Sequence, residues 1–257
     1  NLDEVMNAHH HRTSGKLKMI DVQTKQYRKT SEYLTPSKNG SAFTGGVDSF
    51  YTFLQNLPEK TTFPGTSIQY SVFIQGFFDI KMKHQEYYDY WFSRLNSVME
   101  ENGVELLSVR TNAGSFSHPW VSWSYGYISV ISAVSMALGN LFERFYIASS
   151  GERPREQINY GSLSCQLLST ESLEIINHSA RSNRFERIEI LANWKPAREH
   201  LRVCTSVEKS TVIENCGRCA KCLRTKIILI IQELDDKFPT MNFKMNASSW
   251  LRWLWIN

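Results

Sequence analysis

A chain of 257 residues suits one large domain, or one domain with an appendage. Its 42% apolar content allows a sizeable core and excludes global disorder. A net charge of +4 is too mild to argue for nucleic-acid binding. Five Cys, four of them crowded into residues 204–222, exclude a spread disulfide framework.

Residues 1–40 are polar, with Pro36 and Gly40 as punctuation, and are expected to form an N-terminal extension or partial strands leading into the core. The chain starts with Asn rather than Met, so trimming at one or both ends is expected. The polar start lacks a secretory-leader pattern, and clustered thiols fit a reducing, cytoplasmic compartment. His9-His10-His11 reads as solvated surface. From residue 41, strand-like and helix-like segments alternate. A short strand over 41–44 enters a tight turn. Val47, Phe50, Tyr51, Leu54 and Leu57 predict a helix over 47–57. YSVFIQGFF at 70–78 is rich in β-branched and aromatic residues and predicts a buried strand. A helix over 84–102 is lined by Tyr87, Tyr88, Trp91, Leu95 and Val98, and a strand over 104–110 follows. The apolar run 125–142 carries Ser, Gly and Asn and is followed at once by Glu143-Arg144. It predicts a buried helix, not a membrane span. A fourth strand, 145–148, ends in Ser149-Ser150-Gly151. This alternation predicts an α/β fold with a parallel sheet and helices on both faces. Beyond Gly151 the period weakens, leaving a strand over 173–176 and helices over 186–194 and 226–234. The expected division is an α/β domain over 41–200 and a C-terminal segment over 201–257.

At the end of the first strand stands FTGGVDSF, Phe43 to Phe50. Ligands of parallel α/β sheets collect at the carboxyl ends of strands. A strand turning through Gly45 and Gly46 into a helix leaves backbone N–H groups free, and these and the helix dipole favour an anion. Ser49 can donate to a phosphate oxygen; Asp48 is placed to hold Mg²⁺ or to order the loop. The Lys of GxxxxGK[ST] is missing, and GxGxxG is not matched. The stretch resembles instead the SGGxDS pyrophosphate loop of the N-type ATP pyrophosphatases, with Thr44 in place of the first Ser.

Cys216-Gly217-Arg218-Cys219-Ala220-Lys221-Cys222 is CxxCxxC, and Cys204 lies upstream. Four thiolates can close a tetrahedral zinc site, with Arg218 and Lys221 offsetting its negative charge. An iron–sulfur cluster also takes four Cys; zinc is the first expectation. A pyrophosphate loop followed by C…CxxCxxC resembles the 7-cyano-7-deazaguanine synthase family, in a divergent form.

The resemblance implies an adenine-nucleotide alpha-hydrolase-like, Rossmann-like fold with a small zinc-binding lobe. It implies ATP held by Phe43, Thr44, Gly45, Gly46, Val47, Asp48, Ser49 and Gly76, with Mg²⁺. Asp48, Ser49 and Arg184 are the expected catalytic residues. Arg184, in Asn183-Arg184-Phe185-Glu186, stands where related enzymes place a Lys near the phosphates. Asp79, Phe73 or Phe77, Ser124-Tyr125-Gly126, Ser149 and Ser150 lie at strand or helix ends that could approach the nucleotide. Core packing is the preferred account of the aromatic positions, and helix capping explains Ser124-Tyr125-Gly126 equally well.

The expected reaction is attack of a carboxylate or amide oxygen on the α-phosphate, release of pyrophosphate, and displacement of AMP by a nitrogen nucleophile. The oxygen could belong to a protein partner, as in bacterial defence operons. Sulfur transfer to a tRNA base is an alternative, and it would require the lone Cys165. A third reading is a nucleotide-binding subunit with little turnover. Trp250, Trp253 and Trp255 could pack on the chain or serve a homodimer or hetero-complex.

Overall fold

The computed structural model describes residues 37–61, 63–77, 79–117, 123–150, 164–206 and 214–246, with Glu4, Met6, Asn7, His10 and Ser249. The tract His9-His10-His11 falls outside it except at His10, and the three C-terminal Trp residues lie outside it. Among the described residues, five strands form one sheet: β1 (Lys38–Ala42), β2 (Tyr70–Gln75), β3 (Glu105–Arg110), β4 (Phe142–Ala148) and β5 (Glu174–His178). Their spatial order is β3-β2-β1-β4-β5, and every pairing is parallel. The order reverses between β1 and β4, so a crevice opens at their carboxyl ends.

The helices are α1 (Val47–Gln55), α2 (Gln85–Glu101), α3 (Ala113–Ser117), α4 (Trp123–Ala137), α5 (Arg184–Leu191), α6 (Lys195–His200) and α7 (Ala220–Ile231). Side chains alternate across the sheet as the two-residue period requires. Phe73 of β2 and Tyr146 of β4 join a core with Phe50, Trp91, Ile188 and Leu229 from α1, α2, α5 and α7. Val72, Phe145 and Ile147 face a second core completed by Ile128, Ile131 and Val134 of α4. Helices therefore cover both faces.

The central strand β1 has small, mostly polar residues because its neighbours are large. A Cβ on Gly40 would lie 2.7 Å from the Phe142 ring and 2.9 Å from that of Phe145. Ser41 pairs in register with Ser71, and their buried hydroxyls are 3.1 Å apart.

Several boundaries differ from those expected. β1 starts at Lys38 rather than residue 41, with Lys38 and Asn39 already paired to β4. β2 stops at Gln75, because Gly76 turns the chain at φ +86° and its N–H donates to the Ile80 carbonyl (2.7 Å). The apolar run ends its helix at Ala137, not at 142. Leu138-Gly139-Asn140-Leu141 forms a turn, and Phe142 opens β4 as a fully buried ring. The helix expected over 186–194 is α5, started by a capping box between Asn183 and Glu186. The one expected over 226–234 begins at Ala220, with Cys219 as its N-cap. α3 and α6 were not anticipated. No helix among the described residues is long and apolar enough to cross a membrane.

Candidate functional site

The turn from β1 into α1 lies at the switch point. Gly45 has φ +74°, the left-handed region that glycine tolerates. A Cβ there would also crowd Leu95 at 3.2 Å and the Arg202 Cβ at 3.3 Å. Gly46 is the N-cap of α1 and carries no capping side chain. Thr44 closes the turn from within: its N–H donates to Ser49 Oγ (3.2 Å), and its Oγ1 accepts from the Gly46 N–H (3.3 Å). Ser49 Oγ donates back to the Gly46 carbonyl (3.1 Å). Ser49 and Val47 are buried and Phe43 is a core ring, whereas Thr44 is exposed and Gly46 and Asp48 half-exposed. The turn is thus open to solvent at Thr44 and partly so at Gly46 and Asp48.

Asp48 and Arg184 are brought together. Arg184 Nη2 donates to Asp48 Oδ2 (2.8 Å), and Arg187 Nη1 donates to Asp48 Oδ1 (2.6 Å). Both Asp48 oxygens are engaged by guanidinium groups, so its place in the structure is that of a loop-ordering carboxylate. Arg187, which the sequence reading missed, is fully buried. It also donates to the carbonyls of Ser149 (2.6 Å), Ser179 (2.6 Å) and Ser182 (2.9 Å), and to Ser182 Oγ (2.9 Å). One side chain thus ties α1, the end of β4 and the β5–α5 turn. Its one signal in the sequence is helical spacing, three residues after Arg184. His178 closes this corner, between Thr52 of α1 (3.2 Å) and Asn56 just beyond it (3.1 Å). Burial first, and then the Arg187 charge, lower its pKa to about 4.

Arg202 holds the other side of the turn. Its backbone N–H donates to the Gly45 carbonyl (2.7 Å), and its Nη1 to the Thr44 carbonyl (3.0 Å) and Asp79 Oδ2 (2.9 Å). Its Nε donates to Tyr87 Oη (3.2 Å). Burial pushes the Asp79 carboxyl up, but the adjacent Arg202, helped by Lys221, holds it below its ordinary value. Burial also pushes Tyr87 up to about 12, so it is a neutral partner.

Gly76 has a packing reason of its own: a Cβ would fall 1.7 Å from the Thr111 carbonyl oxygen. Phe73 stacks on Tyr88 (4.9 Å between centroids), and Phe77 belongs to the opposite core. Both are core rings rather than base-flanking ones. Cys165 is buried, and burial pushes its thiol up to about 12, far from a reactive thiolate. Ser124 and Tyr125 open α4, but their side chains lie outside the described residues.

Cys204, Cys216, Cys219 and Cys222 converge, all four Sγ atoms lying within 4.8 Å of one another. Gly217, at φ +65°, makes the tight turn between the first two of the CxxCxxC run, and a Cβ there would strike the Phe243 ring at 2.8 Å. Backbone N–H groups of Arg218, Cys219 and Cys222 donate to the sulfurs at 3.4 Å. Hydrogen bonding from Cys222 lowers the Cys216 thiol to about 6, while that with Cys219 raises Cys204 to about 12. Four thiols this close together lose all their protons at once only around a cation. Metal–sulfur bonds of about 2.3 Å to one tetrahedral ion give sulfur–sulfur edges of about 3.8 Å. Cys216 and Cys222 are 3.9 Å apart. A cubane cluster places four irons and their sulfides between the thiolates and spreads them further. The donor set therefore fits a single ion. Asn215, also missed from sequence, fixes its shape. Its Oδ1 accepts from the N–H of Val203 (2.8 Å) and Cys204 (3.1 Å), and its Nδ2 donates to the carbonyls of Leu201 (2.9 Å) and Thr240 (3.0 Å).

Fold and site together define a doubly wound parallel α/β protein. A glycine turn suited to an anion lies at its switch point, and a four-thiol metal-ligand set stands close by. No family model matches the chain, and no curated protein matches it. Among solved structures it is similar to the U34-tRNA thiolase NcsA from Methanococcus maripaludis, determined with its 4Fe-4S cluster. The TM-score is 0.42 and the identity 13%, over 98% of this chain and 77% of that one.

Proposed function

We propose that the chain is an ATP-dependent adenylating enzyme of the N-type ATP pyrophosphatase kind, similar to the 7-cyano-7-deazaguanine synthases. The observation that carries this reading is the open turn Thr44–Ser49. An uncapped helix N-terminus lies at the switch point, braced by Asp48 and two arginines. Backbone N–H groups there receive the pyrophosphate end of Mg²⁺-bound ATP, Ser49 holds the turn from within, and Arg184 completes the cradle. Arg184 is held at the mouth of the turn by Asp48, within reach of an arriving phosphate.

A carboxylate or amide oxygen attacks the α-phosphorus. The bond to the bridging oxygen breaks, and its electron pair leaves with pyrophosphate. On an activated carboxylate a nitrogen nucleophile then attacks the carbon, loses a proton and expels AMP, giving an amide; an activated amide instead loses its N–H protons and expels AMP, giving a nitrile. The oxygen could be carried by a small molecule or a protein partner. Zinc in the four-thiol site is structural and supplies no step. Sulfur transfer through Cys165 is disfavoured by the burial of that thiol.

Incubation with ATP, Mg²⁺ and candidate acids, read by pyrophosphate release and by mass spectrometry for an AMP adduct, tests the reading. Asp48→Ala is expected to cut adduct formation by at least about a hundredfold. Adduct formation at the full rate in that variant would overturn the loop assignment.

A further inference from the structure

We propose that Arg202 is a positioning residue that locks the glycine turn to the four-cysteine centre, so that nucleotide affinity depends on metal occupancy. This deepens the reading above and rests on it. The path is short and continuous. Arg202 reaches the turn twice, from its backbone N–H to the Gly45 carbonyl (2.7 Å) and from Nη1 to the Thr44 carbonyl (3.0 Å). Two residues later Cys204 supplies one thiol of the centre. Asn215 clamps the intervening backbone and stands directly before Cys216, the next thiol. The side chain cannot swing free, because Asp79 (2.9 Å) and Tyr87 (3.2 Å) fix the guanidinium, and it is only 2% exposed. Gly45 is closely packed: a Cβ there would meet Leu95 at 3.2 Å and the Arg202 Cβ at 3.3 Å.

The geometry has a definite consequence. A loop that offers backbone N–H groups to a phosphate binds well only when its carbonyls are held pointing away. Arg202 holds two consecutive carbonyls in that way. An ion that draws Cys204 onto Cys216, Cys219 and Cys222 sets where residues 201–204 run, and so where Arg202 sits. Outer partners of a metal site commonly orient its ligands; here the same bracket orients the turn. Coupling between two sites is reciprocal, so nucleotide must tighten the metal by the factor by which metal tightens nucleotide.

The test uses the whole chain with zinc and ATP·Mg²⁺. Calorimetric titration of zinc-loaded and chelator-stripped protein is expected to show ATP affinity falling about tenfold on stripping. Chelator competition, with and without saturating ATP, should show zinc held tighter by the same factor. Arg202→Met is expected to retain zinc stoichiometry, to bind ATP as weakly as stripped wild type, and to lose the effect of ATP on zinc. Arg202→Lys keeps the charge but not the fork to the Thr44 carbonyl, and should behave like Arg202→Met. A folded, stripped protein that binds ATP as tightly as the loaded one overturns the proposal. So does Arg202→Met with the linkage intact, or Arg202→Lys with wild-type behaviour. Should stripping unfold the chain, chelator competition on wild type and Arg202→Met decides alone. Failure of the zinc-loaded wild type to bind ATP at all would sink the functional reading itself, and this inference with it.

Discussion

Asp48 shares its carboxylate between two arginines of unequal confinement: Arg187 is wholly enclosed, whereas Arg184 sits nearer the surface. Arg187→Met would strand the Ser149 and Ser182 carbonyls as well as one Asp48 oxygen, and would leave the Ser179 carbonyl to the Ser182 N–H and Oγ. Breaking such a buried cluster costs about 3–5 kcal/mol. Urea titration should show that loss, and a clearly smaller one for Arg184→Met; equal midpoints would deny Arg187 its central place. His178 offers a second measurement. Its pKa in the fold, about 4, lies below its ordinary value of 6.5. The unfolded chain therefore binds the extra proton between those values. Stability from this group is complete above about pH 6.5 and lost as the pH falls toward 4. The ring is neutral in the fold, with Asn56 and Thr52 as partners. His178→Gln is expected to flatten the fall in unfolding free energy between pH 6.5 and 4 by at most about 3 kcal/mol. An unchanged slope would mean that the imidazole is not held neutral.

At the scale of elements, the capping box of α5 places both Arg184 and Arg187, which gives a local interaction a consequence at the site. Asn183 Oδ1 accepts from the Glu186 N–H (3.0 Å), and Glu186 Oε2 accepts from the Asn183 N–H (3.0 Å). Asn183→Ala is expected to cost about 1 kcal/mol. It should also weaken ATP binding, because the first turn of α5 carries Arg184; calorimetry beside a urea melt checks both. Segments whose signal is local were legible in the sequence: α1 from the spacing of Val47, Phe50 and Leu54, α2 from Tyr88, Trp91 and Leu95, and the glycine turn from its own residues. Ends governed by a distant neighbour were not. β2 stops where the Thr111 carbonyl forbids a Cβ on Gly76, and β1 starts early because Lys38 and Asn39 pair with Phe142 and Arg144 of β4. The four thiols were legible because their ligand spacing is local apart from Cys204. Arg187, Arg202 and Asn215 were not, since their partners lie on other elements and their residue types are ordinary in sequence.

The C-terminal segment shares its core with the face that bears the glycine turn. Cys222, Ile228 and Leu229 of α7, with Phe238 and Met241 beyond it, join the cluster that contains Phe50, Phe53, Trp91 and Leu95. Lys226 is buried in the same region, 3.4 Å from Asp235 and over the Phe243 ring, which in turn packs on Gly217 in the metal-binding turn. The four-cysteine centre is therefore not a detachable module. Loss of its ion should loosen a wall of the main core. Repulsion among thiolates, or the cost of reprotonating them, acts directly on Cys204 and Cys222, both buried in that wall. We expect chelation under reducing conditions to lower the thermal midpoint of one cooperative transition. A loss of about 3 kcal/mol corresponds to roughly 6–12 °C for a chain of this size. Hydrogen exchange should report the same event as faster exchange in α7 and in residues 201–206, spreading to α1. The edge pair β2–β3 should change least, because its ladder and the stack of Phe73 on Tyr88 do not pass through the thiols. Two separate transitions, the first confined to residues beyond 200, would mean instead that the metal-bearing segment melts as an independent unit and that the shared core contributes little to holding it.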